Sequence, residues 1–172
     1  MGRPSLATLC AVLFVTFAAL SYSLTAARAQ GEHAWLHAYD AHGHSVSLGQ
    51  YRGQVVALTF VGRKTRDVAT DINDELAERA QPGRMTVLSV VDLEDVPSFG
   101  RHTALDKIAE SDRPGLTHVV DGAGRLSQSF RVDPKQRVTI LVIDKEGVVR
   151  GRFEGEAGLP AALRLIEELT NG

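Results

Sequence analysis

The chain has 172 residues, of which 19 are Lys or Arg and 21 are Asp or Glu, and its only cysteine is Cys10. This length suits one domain rather than two. Because positive and negative charges nearly balance, the chain has no general electrostatic attraction to nucleic acid or to an anionic membrane, and neither is expected as a partner.

The first 29 residues have the order of parts of a cleavable secretory signal peptide. Arg3 is followed by an apolar stretch from Leu6 to about residue 20, and residues 27–29 (Ala-Arg-Ala) form a small-x-small cleavage site. The apolar stretch, which contains Cys10, is shorter than the ~20 residues of a membrane span. We therefore expect residues 1–29 to be removed, which leaves residues 30–172 as one cysteine-free domain in the periplasm or secreted, without a stable membrane span. A retained signal anchor is the alternative.

The first half of residues 30–172 predicts a hairpin followed by a βαβ unit. Two short strands, 35–39 and 45–48, flank a turn, and residues 54–61 are almost all apolar and β-branched, which is typical of a strand covered on both faces. After the basic residues 63–66, apolar positions recur every four residues and predict an amphipathic helix that ends at residues 81–83. Those positions are Val68, Ile72, Leu76 and Ala80. Residues 85–91 then predict a second buried strand.

The second half predicts a helical insertion and a ββα unit. A helix with Ala104, Leu105 and Ile108 on one face precedes a strand at 116–120 and one or two helical turns at 126–130. Residues 138–143 and 148–153 flank a turn and predict a hairpin. Pro160 is expected to open the last helix, where its missing N–H costs nothing. The predicted buried face of that helix consists of Leu159, Leu163, Ile166 and Leu169. This order of elements predicts an α/β domain of three layers.

Three segments of the chain, 46–56, 60–68 and 141–149, together resemble exported thioredoxin-fold proteins related to peroxiredoxins and periplasmic thiol reductases. The resemblance covers nearly all of residues 33–170. It implies a thioredoxin-like α/β/α sandwich with a central mixed sheet and an N-terminal β-hairpin extension. Within this superfamily the sequence is similar to the YtfJ-type periplasmic family, because residues 62–65 (Gly-Arg-Lys-Thr) resemble its Gly-Arg-Thr signature with one residue inserted. That similarity implies location and fold, and no activity that could be transferred.

Relative to the active members of this superfamily, the redox site is degenerate. Those members carry Cys-x-x-Cys or a single peroxidatic Cys where the central strand passes to the helix, because a helix N-terminus stabilises a thiolate. Here Thr65 and Val68 stand at the matching positions, and Val138 stands where the family has a cis-proline before its hairpin strand. Neither the Thr65 nor the Val68 side chain can replace a thiolate. Thiol–disulfide oxidoreductase or peroxidase activity is therefore not expected, and the sequence indicates no cofactor.

The strand-to-helix corner is the first candidate binding site. Gly62, Arg63, Lys64, Thr65 and Arg66 bring three cations to a helix N-terminus, which already favours an anion through its free N–H groups and its dipole. The competing interpretation is structural. In it, Thr65 is the N-cap, Asp67 complements the dipole, and the cations belong to a solvated loop.

Histidines near the start of the domain form a second candidate. His33, His37, His42 and His44 fall within twelve residues, and His42 and His44 could hold copper, zinc or nickel across a turn. A surface hairpin in which histidine has no special role is the alternative. The favoured function is thus a non-catalytic binding or protein-interaction module, with an exported protein or a small anionic ligand as partner. The alternative is a redox-related or metal-handling, copper-chaperone-like protein of the same superfamily.

Overall fold

The computed structural model describes residues 33–172, so the predicted signal peptide at 1–29, with Cys10, lies outside the described residues. Seven strands form one sheet. They are β1 (His37–Asp40), β2 (Ser45–Ser47), β3 (Val55–Val61), β4 (Met85–Asp92), β5 (Leu116–Asp121), β6 (Thr139–Ile143) and β7 (Val149–Glu154). Four α-helices accompany them. They are α1 (Arg66–Glu78), α2 (Ser98–Ala109), α3 (Arg125–Ser129) and α4 (Gly155–Asn171). Short 3₁₀ turns occupy Leu48–Tyr51 and Arg63–Thr65.

The sheet is mixed, with the strand order β2-β1-β5-β4-β3-β6-β7. The pairs β3–β4 and β4–β5 are parallel, and every other neighbouring pair is antiparallel. All seven residues of β3 are buried, as expected for an apolar, β-branched strand with elements on both faces. The predicted α/β architecture, with a central mixed sheet and an N-terminal hairpin, is confirmed.

Each face of the sheet has its own hydrophobic core. On one face α1 and α4 pack against β3, β4 and β6, with Ile72, Leu76 and Ile166 among the buried side chains. The opposite core contains Leu58 and Phe60 of β3 together with the N-terminal hairpin, and α3 contributes half-buried Leu126. The sheet is therefore the middle layer of three.

The buried face of α1 is rotated from the predicted one. Val68 is 38% exposed, whereas Ala69 and the polar Asn73 are buried beside Ile72 and Leu76. The prediction counted only apolar residues and therefore left out Asn73. As a result it placed the buried face of α1 one residue too early in the sequence. In α2 the predicted apolar positions are only half-buried, and no residue of this helix is fully buried.

The last helix begins five residues earlier than predicted. It starts at Gly155, whose N–H donates to the Val138 carbonyl at 2.8 Å, and Pro160 lies inside it. Gly155 has φ +59°, a conformation that glycine adopts without steric cost and that lets β7 turn directly into the helix. Because Pro160 has no N–H, the second turn of α4 lacks one backbone hydrogen bond. At the predicted first position of the helix no such bond would have been lost.

Candidate functional site

The corner between β3 and α1 is held by the side chain of Thr65. This residue is only 8% exposed. Its Oγ1 accepts the Gly62 N–H at 3.0 Å and donates to the Pro134 carbonyl at 2.9 Å, with the Gly62 carbonyl 3.2 Å away. Thr65 does stand at the N-cap position, but its hydroxyl makes no capping bond to α1. Its role is to tie the corner to the loop before β6.

Gly62 is required for the same close approach. A Cβ atom at this position would lie 2.5 Å from the Pro134 carbonyl oxygen, which is backbone and cannot swing away. Any larger residue would separate the corner from residues 134–135. The sequence pointed to Gly62 only as part of the basic segment and gave no signal for its partner Pro134.

The other three residues of the corner form a positive surface, which we call the cationic corner together with Gly62 and Thr65. Arg63, Lys64 and Arg66 are all exposed, and none makes an ion pair within residues 33–172. The positive end of the α1 dipole adds to their field. Asp67, in the first turn, is also exposed and opposes it in part. The corner can therefore attract an anionic group by charge.

The three positions that the resemblance of the sequence matched to redox residues hold side chains without a redox-active atom. Thr65 binds backbone atoms, Val68 lies in the first turn of α1, and Val138 is 1% exposed in the core beneath α1 and α4. All peptide bonds within residues 33–172 are trans. The described residues contain no cysteine.

Two aspartates at the carboxyl ends of the parallel strands lie beside the corner, where the sequence did not place them. Asp92 and Asp121 stand opposite each other at the ends of β4 and β5, exposed by 7% and 3%. Burial, together with the charge of Asp121, raises the pKa of Asp92, although the Glu94 N–H donates to its Oδ1 at 2.8 Å and lowers the pKa in part. Asp121 Oδ2 accepts the N–H and the hydroxyl of Ser127. The signal in the sequence was an aspartate directly after each apolar strand.

The loop after β4 is bound to the loop before β6 by Lys135. Its Nζ lies 2.8 Å from a Glu94 carboxylate oxygen and 3.0 Å from one of Asp95. The hydrogen bonds that its ammonium donates to both carboxylates raise the pKa of Lys135. A cation from the neighbouring loop thus balances one of the two negative charges of this acidic segment.

The histidine candidate lies at the far side of the sheet. The rings of His42 and His44 are 5.9 Å apart at the β1–β2 turn. Each faces a carboxylate, because His44 Nδ1 is 3.0 Å from Asp40 Oδ2 and His42 Nε2 is 3.8 Å from Asp112 Oδ2. Burial by itself raises the pKa of Asp40, but the hydrogen bonds from His44 and His42 outweigh it and lower the pKa overall.

A third histidine, His118, is linked to His42 through Asp112, and the sequence did not reveal this connection. His118 is buried on β5, and its Nδ1 lies 2.7 Å from Asp112 Oδ1. Asp112 is therefore shared by His42 and His118. In the described part of the chain, however, no three His, Cys, Asp or Glu side chains are arranged to hold one metal ion. The structure brings His42 and His44 together and pairs each with an acid.

No protein-family model matches the sequence, and a search of curated proteins finds no match. Solved structures do match. The exposed lipoprotein thioredoxin Etrx1 of Streptococcus pneumoniae is 25% identical, with a TM-score of 0.61 over 79% of this chain and 100% of that one. A putative thiol:disulfide interchange protein DsbE of Chlorobium tepidum is 17% identical, with a TM-score of 0.65 over 82% and 96%. A secreted thiol-disulfide isomerase of Corynebacterium glutamicum is 20% identical, with a TM-score of 0.62 over 83% and 87%.

The sheet order, the strand-to-helix corner and these neighbours define the class: the chain has the thioredoxin-like fold. The neighbours are named for redox chemistry, whereas this chain has one cysteine, at position 10. None of the helices within residues 33–172 has the length and apolar character needed to cross a bilayer.

Proposed function

We propose that this protein is an exported, YtfJ-type thioredoxin-fold binding module that uses the cationic corner as its contact site and performs no thiol chemistry. Its location would be the periplasm or the extracellular space. The order of parts in residues 1–29 supports export, as does the presence of an exposed lipoprotein and a secreted isomerase among the similar structures. The ligand would be an anionic group, carried by a small molecule or by an exported protein.

One observation carries the proposal. Three exposed cations, Arg63, Lys64 and Arg66, stand without an ion-pair partner in the described chain, at the corner that the resemblance of the sequence matches to the redox site of related proteins. Elsewhere on the same edge, the cation Lys135 is fully used by Glu94 and Asp95. An unused positive surface on a corner fixed by Thr65 is suited to binding an anion, because the backbone that carries the cations is already held in place when the anion arrives.

The metal-handling alternative has weaker support. His42 and His44 are close together, but their acidic neighbours lie in pairs rather than around one point. Copper or zinc would have to displace these pairs to gain further protein ligands. The alternative stays a prediction, and a His42→Ala/His44→Ala variant that loses stoichiometric Zn²⁺ or Cu²⁺ uptake would support it.

The test is the thermal stability of residues 30–172 with inorganic phosphate, sulfate and citrate as probes. Anion binding at ~100 times the dissociation constant adds about 2.7 kcal/mol, which raises the Tm of a domain this size by about 5 °C or more. We expect such a shift in the wild type and its loss in Arg63→Glu/Arg66→Glu. The matched control is Lys107→Glu/Arg164→Glu, which reverses two exposed cations away from the corner and should keep the shift.

Two outcomes would contradict the proposal. One is a Tm shift that survives the charge reversal at Arg63 and Arg66. The other is the absence of a shift with all three anions, which would contradict a small anionic ligand and restrict the partner to an exported protein. Circular dichroism of each variant without anion verifies that the substitutions, all on exposed side chains, leave the fold intact.

A further inference from the structure

The most exposed large apolar side chain within residues 33–172 is Phe99, which is 89% exposed. It lies in the first turn of α2, next to the exposed Pro97 and the half-buried Val96. Burying such a side chain is worth about 1.5–3 kcal/mol. A single exposed aromatic is ordinary on a protein surface. Phe99 is of interest because of its position relative to the cationic corner.

Phe99 lies at the same edge of the sheet as the corner. Strands β3, β4 and β5 are parallel neighbours in chain order. Since crossovers between parallel strands are right-handed, α1 and α2 cover the same face and both begin at the carboxyl edge. An ion pair between Asp74 of α1 and Arg113, just beyond α2, agrees with this placement. Arg66 and Phe99 therefore occupy the first turns of the helices that follow two adjacent parallel strands.

The loops between these two helix starts are tied together. Thr65 binds the Pro134 carbonyl, and the next residue, Lys135, binds both Glu94 and Asp95 in the loop that leads to α2. Lys135 thus balances one of the two carboxylate charges of this connecting loop. A partner that binds along this edge of the sheet would contact the unpaired positive charges of the cationic corner at one end and the Phe99 ring at the other.

We propose that the partner is an acidic protein segment, which places its carboxylates on the cationic corner and an apolar side chain against Phe99. This inference rests on the proposed function and extends its site. Charge complementarity selects an acidic occupant, and aromatic side chains are preferred anchors of protein interfaces. An anionic bilayer fits less well. The chain has a net charge of −2, and a broad anionic surface would face Asp67 and Asp95 as well as the corner, whereas a narrow acidic segment can contact the corner alone.

The experiment uses two fluorescein-labelled peptides and measures their binding to residues 30–172 by anisotropy at low ionic strength, where surface charges are least screened. One peptide has six glutamates followed by two leucines, and in the other the leucines are replaced by serines. We expect the leucine peptide to bind about tenfold more tightly, the gain from burying an apolar side chain. Phe99→Ala should abolish this preference without changing the binding of the serine peptide. Trp35→Ala, which removes the other strongly exposed aromatic, at 86%, is the matched control and should leave the preference unchanged.

The outcomes separate the two proposals. Equal binding of both peptides by the wild type, or a preference that persists in Phe99→Ala, would overturn the Phe99 contact. If Arg63→Glu/Arg66→Glu still weakened the binding of both peptides in that case, the cationic corner would remain supported as the contact site. Unchanged binding in the charge-reversed variant would overturn the corner as well. The acidic protein segment would be excluded if neither peptide bound at millimolar concentration, or if phosphatidylglycerol vesicles bound more tightly than the leucine peptide.

Discussion

Two buried carboxylates at strand ends, Asp92 and Asp144, have pKa values shifted in opposite directions. They are similarly buried, at 7% and 4% exposed. Asp144 accepts the N–H groups of Glu146 and Val148 and pairs with Arg150 at 2.5 Å, and these interactions outweigh burial and lower its pKa. Asp92 has one backbone donor and faces Asp121, so burial dominates and its pKa is raised. The difference is in the number of donors around each carboxylate.

The raised pKa of Asp92 means that its ionisation destabilises the folded state. In the unfolded chain Asp92 ionises around its ordinary pKa of 3.8, whereas in the folded protein it ionises at a higher pH. The free energy of unfolding therefore falls as the pH rises through this interval, and the loss persists at neutral pH. We expect Asp92→Asn, whose amide oxygen can still accept the Glu94 N–H, to raise the Tm at pH 7. The gain should disappear below about pH 3, where the carboxyl is neutral in both states. A lower Tm at pH 7 would contradict this reasoning.

Asp144→Asn is the control of opposite sign. Its lowered pKa contributes stability that is present above pH 3.8 and is lost as the pH falls through the folded pKa. This substitution should therefore lower the Tm at pH 7, and the difference from the wild type should shrink in acid. A gain for both variants would show that removing any negative charge stabilises the protein.

At the level of single elements, α1 is joined to the sheet by a buried polar network. The Thr59 hydroxyl donates to Asn73 Oδ1 at 2.8 Å, and Asn73 Nδ2 donates to the Ser89 hydroxyl at 2.9 Å. All three side chains are buried, so Asn73 links α1 to β3 and β4 at once. These bonds fix the rotation of α1, which begins at the cationic corner.

Replacing Asn73 should cost more than its size suggests. Asn73→Ala leaves the hydroxyls of Thr59 and Ser89 without their partner, and a buried unsatisfied polar group costs about 1–3 kcal/mol. We expect the free energy of unfolding, measured by urea denaturation, to fall by about that amount. Asp71→Ala, an exposed position on the same helix, should change it by less than about 0.5 kcal/mol. Equal effects of the two variants would mean that the network adds nothing to stability.

The elements differ in how well the sequence predicted them. Strand β3 and helix α1 were predicted because apolar residues with a clear period determine both. The rotation of α1 was not predicted, since Asn73 resembles a solvent-facing residue until its partners on β3 and β4 are known. The same holds for the candidate site. Its cations are contiguous in sequence, but the contacts of Thr65 with Pro134 and of Lys135 with Glu94 join residues far apart in the chain, and no local pattern encodes them.

For the molecule as a whole, stability is expected to be uneven. Helices α1 and α4 each bury several side chains in the core, including Ile72, Leu76, Leu159 and Ile166. Helix α2 buries none completely, and its apolar residues are only half-covered. A helix held by few buried contacts opens locally at a lower free energy than the global unfolding of the domain.

Native-state hydrogen exchange measured by mass spectrometry tests this expectation. Burying one leucine side chain is worth about 1.5–3 kcal/mol, and 1.4 kcal/mol corresponds to a factor of ten, so the amides of α2 should exchange at least about tenfold faster than those of α1 and α4. The acidic leucine peptide proposed to bind at Phe99 should slow exchange at the start of α2, because it would bury the ring. Equal protection of α2 and α1 in the free protein would show that α2 is held by contacts beyond its half-buried face. A peptide that protects α1 but not α2 would confine binding to the cationic corner.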